Sequence, residues 1–153
     1  MTVVEASIDI KAPIRPVFEA VTDPRRGADW NPHIIHTRDV QLPLAVDATW
    51  HQTAMMAGRR LNVTCRVTKY DPPTYGEMEV SGDQMARMWV RCEDVGGTTR
   101  LTHGIDFEAP RRAFGMIAGR LLQGVVRREL SATLRREREV LEREYGGFGG
   151  SRA

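Results

Sequence analysis

Apolar and polar residues alternate along the first segment of the chain. Between residues 3 and 11 one face carries Val4, Ala6, Ile8 and Ile10, and the residues between them are polar or charged. A period of two residues with one apolar face is typical of a β-strand that is buried on one side. The chain is therefore predicted to begin with a strand.

Two short helices are predicted after this strand. Pro13 suits the first turn of a helix, and apolar residues then recur at helical spacing as far as Thr22. Asp23 and Pro24 form a new N-cap and first-turn pair, which begins a second helix. This helix ends before Pro32, because the residue that precedes a proline is disfavoured in the helical region.

Residues 33–108 have the pattern of strands separated by turns. The turn signals, which are proline, glycine and their flanking residues, fall at 43–47, 58, 71–73, 82–83 and 96–97. Six strands fit between these signals. Connections this short join antiparallel neighbours, since a parallel pair needs a long crossover. The middle of the chain is therefore predicted to be an antiparallel meander.

Helical periodicity returns between residues 111 and 145. The apolar stripe of this segment consists of Phe114, Ile117, Ala118, Leu121, Leu122, Val125, Leu130, Leu134 and Leu141, and arginines and glutamates fill the other face. Gly115, Gly119 and Gly124 lie near its start, where each glycine costs about 1 kcal/mol against alanine. We expect the sheet or a ligand to approach the backbone closely there.

This order of elements predicts an α+β fold with two layers. A strongly curved antiparallel sheet of about seven strands can wrap around the long C-terminal helix, and the two short helices that follow the first strand can close one end. We expect a single domain over residues 1–145 and a flexible tail over residues 146–153. The space between sheet and helix is a natural ligand cavity.

Composition and motifs narrow the function. The chain has 22 basic and 20 acidic residues, a formal charge of +2, which argues against a nucleic-acid-binding protein. No apolar run approaches the ~20 residues that span a bilayer, and no signal peptide is recognisable, so we expect a cytoplasmic protein. His33 and His36 would point to opposite faces of a strand, and phosphate-loop, zinc and nucleophile motifs do not occur in the sequence. We therefore expect no metal or other cofactor.

Strand parity places His103 on the apolar face of its strand, together with Leu101, Ile105 and Phe107. Three roles are open to an imidazole in that position. It is a core histidine bonded to a neighbouring side chain or water, a ligand contact, or a catalytic general acid and base that acts on a ligand carbonyl. Trp89 is predicted on the opposite, exposed face of the sheet. Parity leaves the face of residues 33–42 open.

Other cavity candidates are aromatic, amide and sulfur-containing residues. Trp50 offers a flat wall and one N–H donor, and Gln52 needs a partner such as His103, a water or a ligand carbonyl. Trp30 either caps the cavity mouth or packs the short helices on the sheet. The remaining ligand-binding candidates are Met56, Cys65, Met78, Met88, Met116 and Arg120. The methionines and the cysteine are equally compatible with a plain core, and Arg120 with a solvated helix surface.

Three stretches carry a family resemblance: residues 4–24 with Trp30, residues 67–73, and residues 97–103 ahead of the terminal helix. Over residues 3–144 the chain resembles the START-like (SRPBCC) superfamily, in particular its polyketide cyclase/dehydrase-like branch. The resemblance implies a helix-grip fold that binds a hydrophobic, aromatic or polyketide-like small molecule. It also implies a possible enzymatic version, in which the cavity holds a poly-ketone chain for cyclisation or dehydration and His103 moves the proton.

A second class of function remains open. Arginines outnumber glutamates on the long helix, which would suit a lipid or isoprenoid carrier or a membrane-associated binding protein without catalysis. The same arginines are equally compatible with a solvated face that forms ion pairs along the helix. Both a monomer and a homodimer are compatible with the sequence.

Overall fold

The computed structural model describes residues 2–56, 58–108 and 115–146, with the backbone alone for residues 115–120. In chain order the elements are β1 (Thr2–Ile10), α1 (Ile14–Thr22), a 3-10 turn (Pro24–Arg26), α2 (Gly27–Trp30), β2 (Ile34–Arg38), β3 (Thr49–Met56), β4 (Arg59–Asp71), β5 (Tyr75–Gly82), β6 (Ala86–Val95), β7 (Thr98–Phe107) and α3 (Gly115–Tyr145). The predicted order of elements is confirmed. Apart from Gly146, the tail predicted from residue 146 onward lies outside the described residues.

The seven strands form one antiparallel sheet in the order β1-β7-β6-β5-β4-β3-β2. Consecutive strands from β2 to β7 are neighbours, as short connections require. Strand β7 then returns beside β1, so β1 and β2 are the two edges of the sheet. The segment with α1 and α2 carries the chain from one edge to the other. None of the described helices is both long and apolar enough to cross a membrane.

Helix α3 packs mainly on β1, with further contacts to β7, α1 and α2. Its C-terminal half is the half that is buried: Leu134, Glu137 and Leu141 are each at most 1% exposed. Two polar contacts hold the same end. The backbone N–H of Lys11 donates to Glu142 at 2.8 Å, and Arg26 forms an ion pair with Glu144 at 2.9 Å.

The buried apolar residues form two separate clusters. The first joins β1, β6 and β7 to the helices and consists of Ile10, Ala12, Val17, Phe18, Ala20, Trp30, Cys92, Leu101, Leu134 and Leu141. The second lies on β3, β4 and β5 and consists of Ala48, Trp50, Cys65, Val67 and Val80. A domain usually has one contiguous core. Half-buried Tyr70 packs against both clusters, and the other side chains on the inner face between them are also only half-buried.

Strand β2 contains an irregularity that parity could not reveal. The pairing with β3 shifts between Ile34 and His36, so that Ile34 faces Ala54 and Thr37 faces Gln52. A bulge of this kind inverts the alternation of faces after it. Thr37 consequently shares the inner face with Gln52.

The outer face carries Trp89, which is only 7% exposed, so the expectation of an exposed indole was wrong. A Cβ atom at Gly104 would overlap the indole, which shows that the ring lies directly over this glycine on β7. The indole N–H donates to Glu5 at 2.6 Å, and the guanidinium of Arg87 lies 4.6 Å from the ring centre. Gly104 therefore provides the space that buries the tryptophan against the sheet.

Replacing Gly104 with alanine tests this packing. We expect Gly104→Ala to lower the free energy of unfolding by about 1–3 kcal/mol, the usual cost of overpacking, because the new methyl group must displace the indole. Urea denaturation followed by tryptophan fluorescence measures the change. A Cβ atom at Gly124 meets no atom within 4 Å, so the close approach of the sheet expected at this glycine was wrong. Gly124→Ala is therefore the control, and it should not lower the free energy of unfolding. An unfolding midpoint for Gly104→Ala equal to that of the wild type would contradict the packing described.

Candidate functional site

The inner face of the sheet is only partly covered in its middle. Val90 on β6 lies beside His103 on β7, and Met88 lies beside both Met78 on β5 and Ile105 on β7. All five side chains are half-buried, although each belongs to an inner strand of the sheet. Mid-strand apolar residues on a core face are normally fully buried. Their partial exposure marks an opening between the two apolar clusters.

A histidine and a glutamate lie at the side of this opening nearer to α3. Nε2 of His103 lies 2.6 Å from Oε1 of Glu137, a hydrogen bond between β7 and α3. The glutamate is 0% exposed, and the histidine side chain is 14% exposed. A carboxylate without solvent needs a charged or hydrogen-bonded partner, and His103 is the one it has in the described part of the chain. The two residues therefore form one buried acid–base pair.

The environment changes the pKa of His103 in two opposing directions. Burial lowers it, because a charged imidazolium is poorly solvated away from water. The negative charge of Glu137 and the hydrogen bond to it raise the pKa and outweigh burial, so that the net pKa lies above the ordinary value of 6.5. His103 consequently keeps its second proton to a higher pH than an exposed histidine does.

This contact leaves the other ring nitrogen available for chemistry. When Nε2–H donates to Glu137, Nδ1 is the atom of His103 that can accept or donate a further proton. Nδ1 makes no hydrogen bond to any described residue, and Oε2 of Glu137 is likewise buried without a partner among them. A carboxylate that fixes the tautomer and orientation of an imidazole is a recurrent arrangement in acid–base catalysis.

The position of Glu137 in the sequence indicates that it is buried, although neither strand parity nor the list of apolar residues in the helix reveals this. Glu137 lies three residues after Leu134 and four before Leu141, so it occupies the apolar stripe of α3 rather than the solvent face. A charged residue in such a stripe needs a partner in the interior. His103, on the apolar face of its strand, was the matching candidate.

Trp50 and Gln52 belong to the far side of the opening. Trp50 is 5% exposed and packs in the second cluster beside Cys65, and its N–H has no hydrogen-bond partner among the described residues. Gln52 is half-buried, and its Oε1 lies 3.9 Å from Sγ of Cys65. No hydrogen bond joins it to His103, since three strands lie between β3 and β7. Gln52 therefore does not pair with His103, which was one of the partners expected for it.

The remaining predicted site residues divide between core, rim and opening. Trp30 is 4% exposed within the first cluster, and its carbonyl accepts a hydrogen bond from Arg136 at 3.3 Å. Cys65 is fully buried, which raises the pKa of its thiol to about 12. Met56 is 44% exposed at the end of β3, whereas Met78 and Met88 lie half-buried in the opening. The side chains of Met116 and Arg120 lie outside the described residues.

The site contains no arrangement that resembles a metal centre in the described part of the chain. Three or more His, Cys, Asp or Glu side chains do not come together there in the way that a bound ion requires. Among the described polar groups of this region, His103 and Gln52 are half-buried, whereas Glu137 and the indole N–H of Trp50 are buried. These groups can orient an organic ligand and exchange protons with it.

Solved structures share this architecture at low sequence identity. A protein from Thermus thermophilus has a TM-score of 0.76 at 16% identity, with 90% of this chain and 95% of that chain covered. The Zhui aromatase/cyclase from Streptomyces sp. R1128 has a TM-score of 0.73 at 19% identity, with 93% and 94% covered. A START superfamily protein from Mycobacterium smegmatis has a TM-score of 0.73 at 18% identity, with 91% and 98% covered. These similarities establish the helix-grip fold.

The sequence comparisons assign the family. No curated protein matches the sequence. Residues 1–142 match the profile of a family described as "Polyketide cyclase / dehydrase and lipid transport". The match covers all seven strands and most of α3. The chain is thus a member of the polyketide cyclase/dehydrase and lipid transport family.

Proposed function

We propose that the protein binds a hydrophobic, aromatic or polyketide-like small molecule against the inner face of its sheet. The observation that carries the proposal is the half-buried apolar floor of Met78, Met88, Val90 and Ile105, with a buried acid–base pair beside it. A ligand on this floor removes apolar surface from water, which contributes about 25 cal/mol per Å². The thioethers of the methionines adapt to irregular shapes, which suits an extended ring system.

The acid–base pair supports an enzymatic version of this proposal. A poly-ketone chain held on the floor can present the carbon between two carbonyls to Nδ1 of His103, which takes one proton. The resulting enolate attacks a further carbonyl of the same chain, and the imidazolium returns the proton to the new alkoxide. Loss of water from the resulting alcohol gives the dehydrated ring. Glu137 stabilises the imidazolium throughout, and the cavity contributes proximity.

Lipid or isoprenoid transport is the second candidate. The family description includes lipid transport, and the end of the sheet where β3 and β5 finish exposes Met56 by 44% and Met85 by 61%. Exposed apolar residues at one end of the sheet suit contact with a membrane. A carrier needs the apolar floor and has no use for proton transfer. The acid–base pair therefore favours the first candidate.

Replacing the pair as a unit tests whether it contacts the ligand. Native mass spectrometry of protein purified from its own host identifies the bound molecule, and calorimetry measures its affinity. The double variant His103→Phe with Glu137→Leu avoids leaving one buried charge alone, so we expect it to fold. We expect the affinity to fall about 10- to 100-fold, which corresponds to the loss of a hydrogen bond to a charged group.

His51→Phe provides the control for this experiment. His51 is a half-buried histidine on the outer face, where it contacts Thr64 at 3.0 Å. This variant changes the same residue type away from the floor and should bind as tightly as the wild type. Equal affinity of the double variant and His51→Phe would exclude the pair from ligand binding.

The electrostatic coupling within the pair gives a prediction of its own. Glu137→Gln keeps the shape of the side chain and removes its charge, so the pKa of His103 should fall below the wild-type pKa. NMR titration of the carbon-bound protons of the imidazole measures both pKa values. A pKa that rises or stays unchanged in Glu137→Gln would contradict the assignment of Glu137 as the group that raises it.

The same coupling fixes the sign of the pH dependence of stability. Because the pKa of His103 is raised on folding from 6.5, its contribution to the free energy of unfolding is complete below that value. The contribution is lost as the pH rises through the folded-state pKa. The free energy of unfolding of the wild type, relative to that of Glu137→Gln, should therefore fall as the pH rises through the folded-state pKa of His103. Urea denaturation of both proteins across this pH range measures the difference.

Liposome co-sedimentation distinguishes the two candidate functions. A carrier should pellet with anionic vesicles at low salt and release at high salt, because headgroup attraction is screened. The protein proposed here should stay in the supernatant at both salt concentrations. Salt-sensitive pelleting, with a lipid as the molecule that travels with the purified protein, would favour the carrier.

A further inference from the structure

The two halves of α3 are held very differently. Among the described side chains of the helix, which begin at residue 121, Leu134 is the first that is fully buried, and those of residues 121–133 are half-buried or exposed. Leu121 is 68% exposed and Val125 is 49% exposed, although both are apolar. Few buried contacts make a segment prone to local opening. The segment 121–133 therefore depends on polar contacts more than the C-terminal half does.

One such contact reaches the far edge of the sheet. Nε2 of His33, the residue that precedes β2, lies 2.9 Å from Oε2 of Glu129 on α3. Helix α3 packs mainly on β1, the opposite edge strand, so this contact ties the helix to the other side of the fold. The backbone N–H of His33 donates to Asn31 at 3.0 Å, which holds the histidine in place.

The second ring nitrogen of His33 gives the contact its chemical character. Nδ1 lies 3.1 Å from the carbonyl oxygen of Met55 on β3. A carbonyl and a carboxylate are both acceptors, so each ring nitrogen must carry a hydrogen to complete both bonds. A neutral imidazole has only one N–H, whereas the imidazolium has two. The arrangement is complete only when His33 is protonated.

We infer that His33 and Glu129 form a pH-sensitive latch that ties residues 121–133 of α3 to the β2 edge of the sheet. Deprotonation of His33 removes one of the two hydrogen bonds and the attraction to Glu129, and the segment then opens more often. The consequence for ligand entry rests on the proposed function, and it follows only if the ligand enters beside this segment. The latch itself does not require a ligand.

Charged side chains of both signs surround His33. Glu129 on α3 is negative and in direct contact with the ring. Arg136 on α3 bonds to the carbonyl of Trp30, and Arg60 on β4 faces Met55 across the hairpin. Both arginines are positive, and neither has a hydrogen bond to the imidazole. Both latch side chains are partly exposed, 43% for His33 and 50% for Glu129, so solvent screens these effects and the latch shifts an equilibrium rather than locking it.

Hydrogen exchange on the full chain tests the latch. Amide protection of residues 121–133, corrected for intrinsic rates, is compared at about pH 5.5 and about pH 8, on either side of the ordinary histidine range. We expect wild-type protection to fall about two- to fivefold between the two conditions, as the energy of an exposed pair predicts. In Glu129→Gln and in His33→Phe, protection should be low at both.

The experiment has two controls, one within the same protein and one a separate variant. Residues 134–145 should keep their protection at both pH values. Glu79→Gln removes a comparably exposed ion pair, 2.6 Å from Arg66 on the outer face, and should retain the wild-type pH response. Wild-type protection that does not depend on pH, or the same pH response in Glu129→Gln, would overturn the latch.

A fluorescent probe separates this inference from the proposed function. With 8-anilinonaphthalene-1-sulfonate as the probe, the dissociation rate should rise with pH in the wild type and not in Glu129→Gln. If the probe binds tightly and its dissociation rate does not change with pH, the latch is overturned and the proposed binding function is unaffected. A pH response in hydrogen exchange without probe binding supports the latch and counts against the binding function.

Discussion

The contact on which the rest of the site depends is the hydrogen bond between His103 and Glu137. Removing a carboxylate from water costs several kcal/mol, and only a close, well-directed partner offsets that cost. His103 is fixed by its place on β7, between Ala6 and Val90. Glu137 can reach His103 only at one rotation of α3 about its axis and at one position of the helix along that axis. The pair therefore fixes how the helix lies on the sheet.

The open floor follows from the same arrangement. With Glu137 at its position, α3 buries Leu134 and Leu141 near the short helices, and none of residues 121–133 is equally buried. Among the described residues, no side chain of α3 belongs to the second cluster around Trp50 and Cys65. The chain thus gives up apolar burial between the clusters, where each Å² left open forgoes about 25 cal/mol. Such a loss is tolerable in a domain with two other packed regions.

The sequence was sufficient for the fold and for part of the site. Turn signals and alternation predicted the seven strands, and parity put His103 on the inner face. Three features depended on contacts that local patterns do not contain. The burial of Trp89 depends on Gly104 in a neighbouring strand, and the faces of β2 depend on a shift after Ile34. Glu137 was assigned with the other charged residues to the solvent face, because an apolar stripe is defined by its apolar members.

The cost of the buried pair bears on the choice between enzyme and carrier. Replacing a buried ion pair with apolar residues of similar volume is often neutral or stabilising, so stability alone gives no reason to keep one. A carrier would bind its cargo equally well if leucine and phenylalanine replaced Glu137 and His103. An imidazole with a raised pKa, whose other ring nitrogen has no hydrogen bond to a described residue, is instead suited to proton transfer at neutral pH.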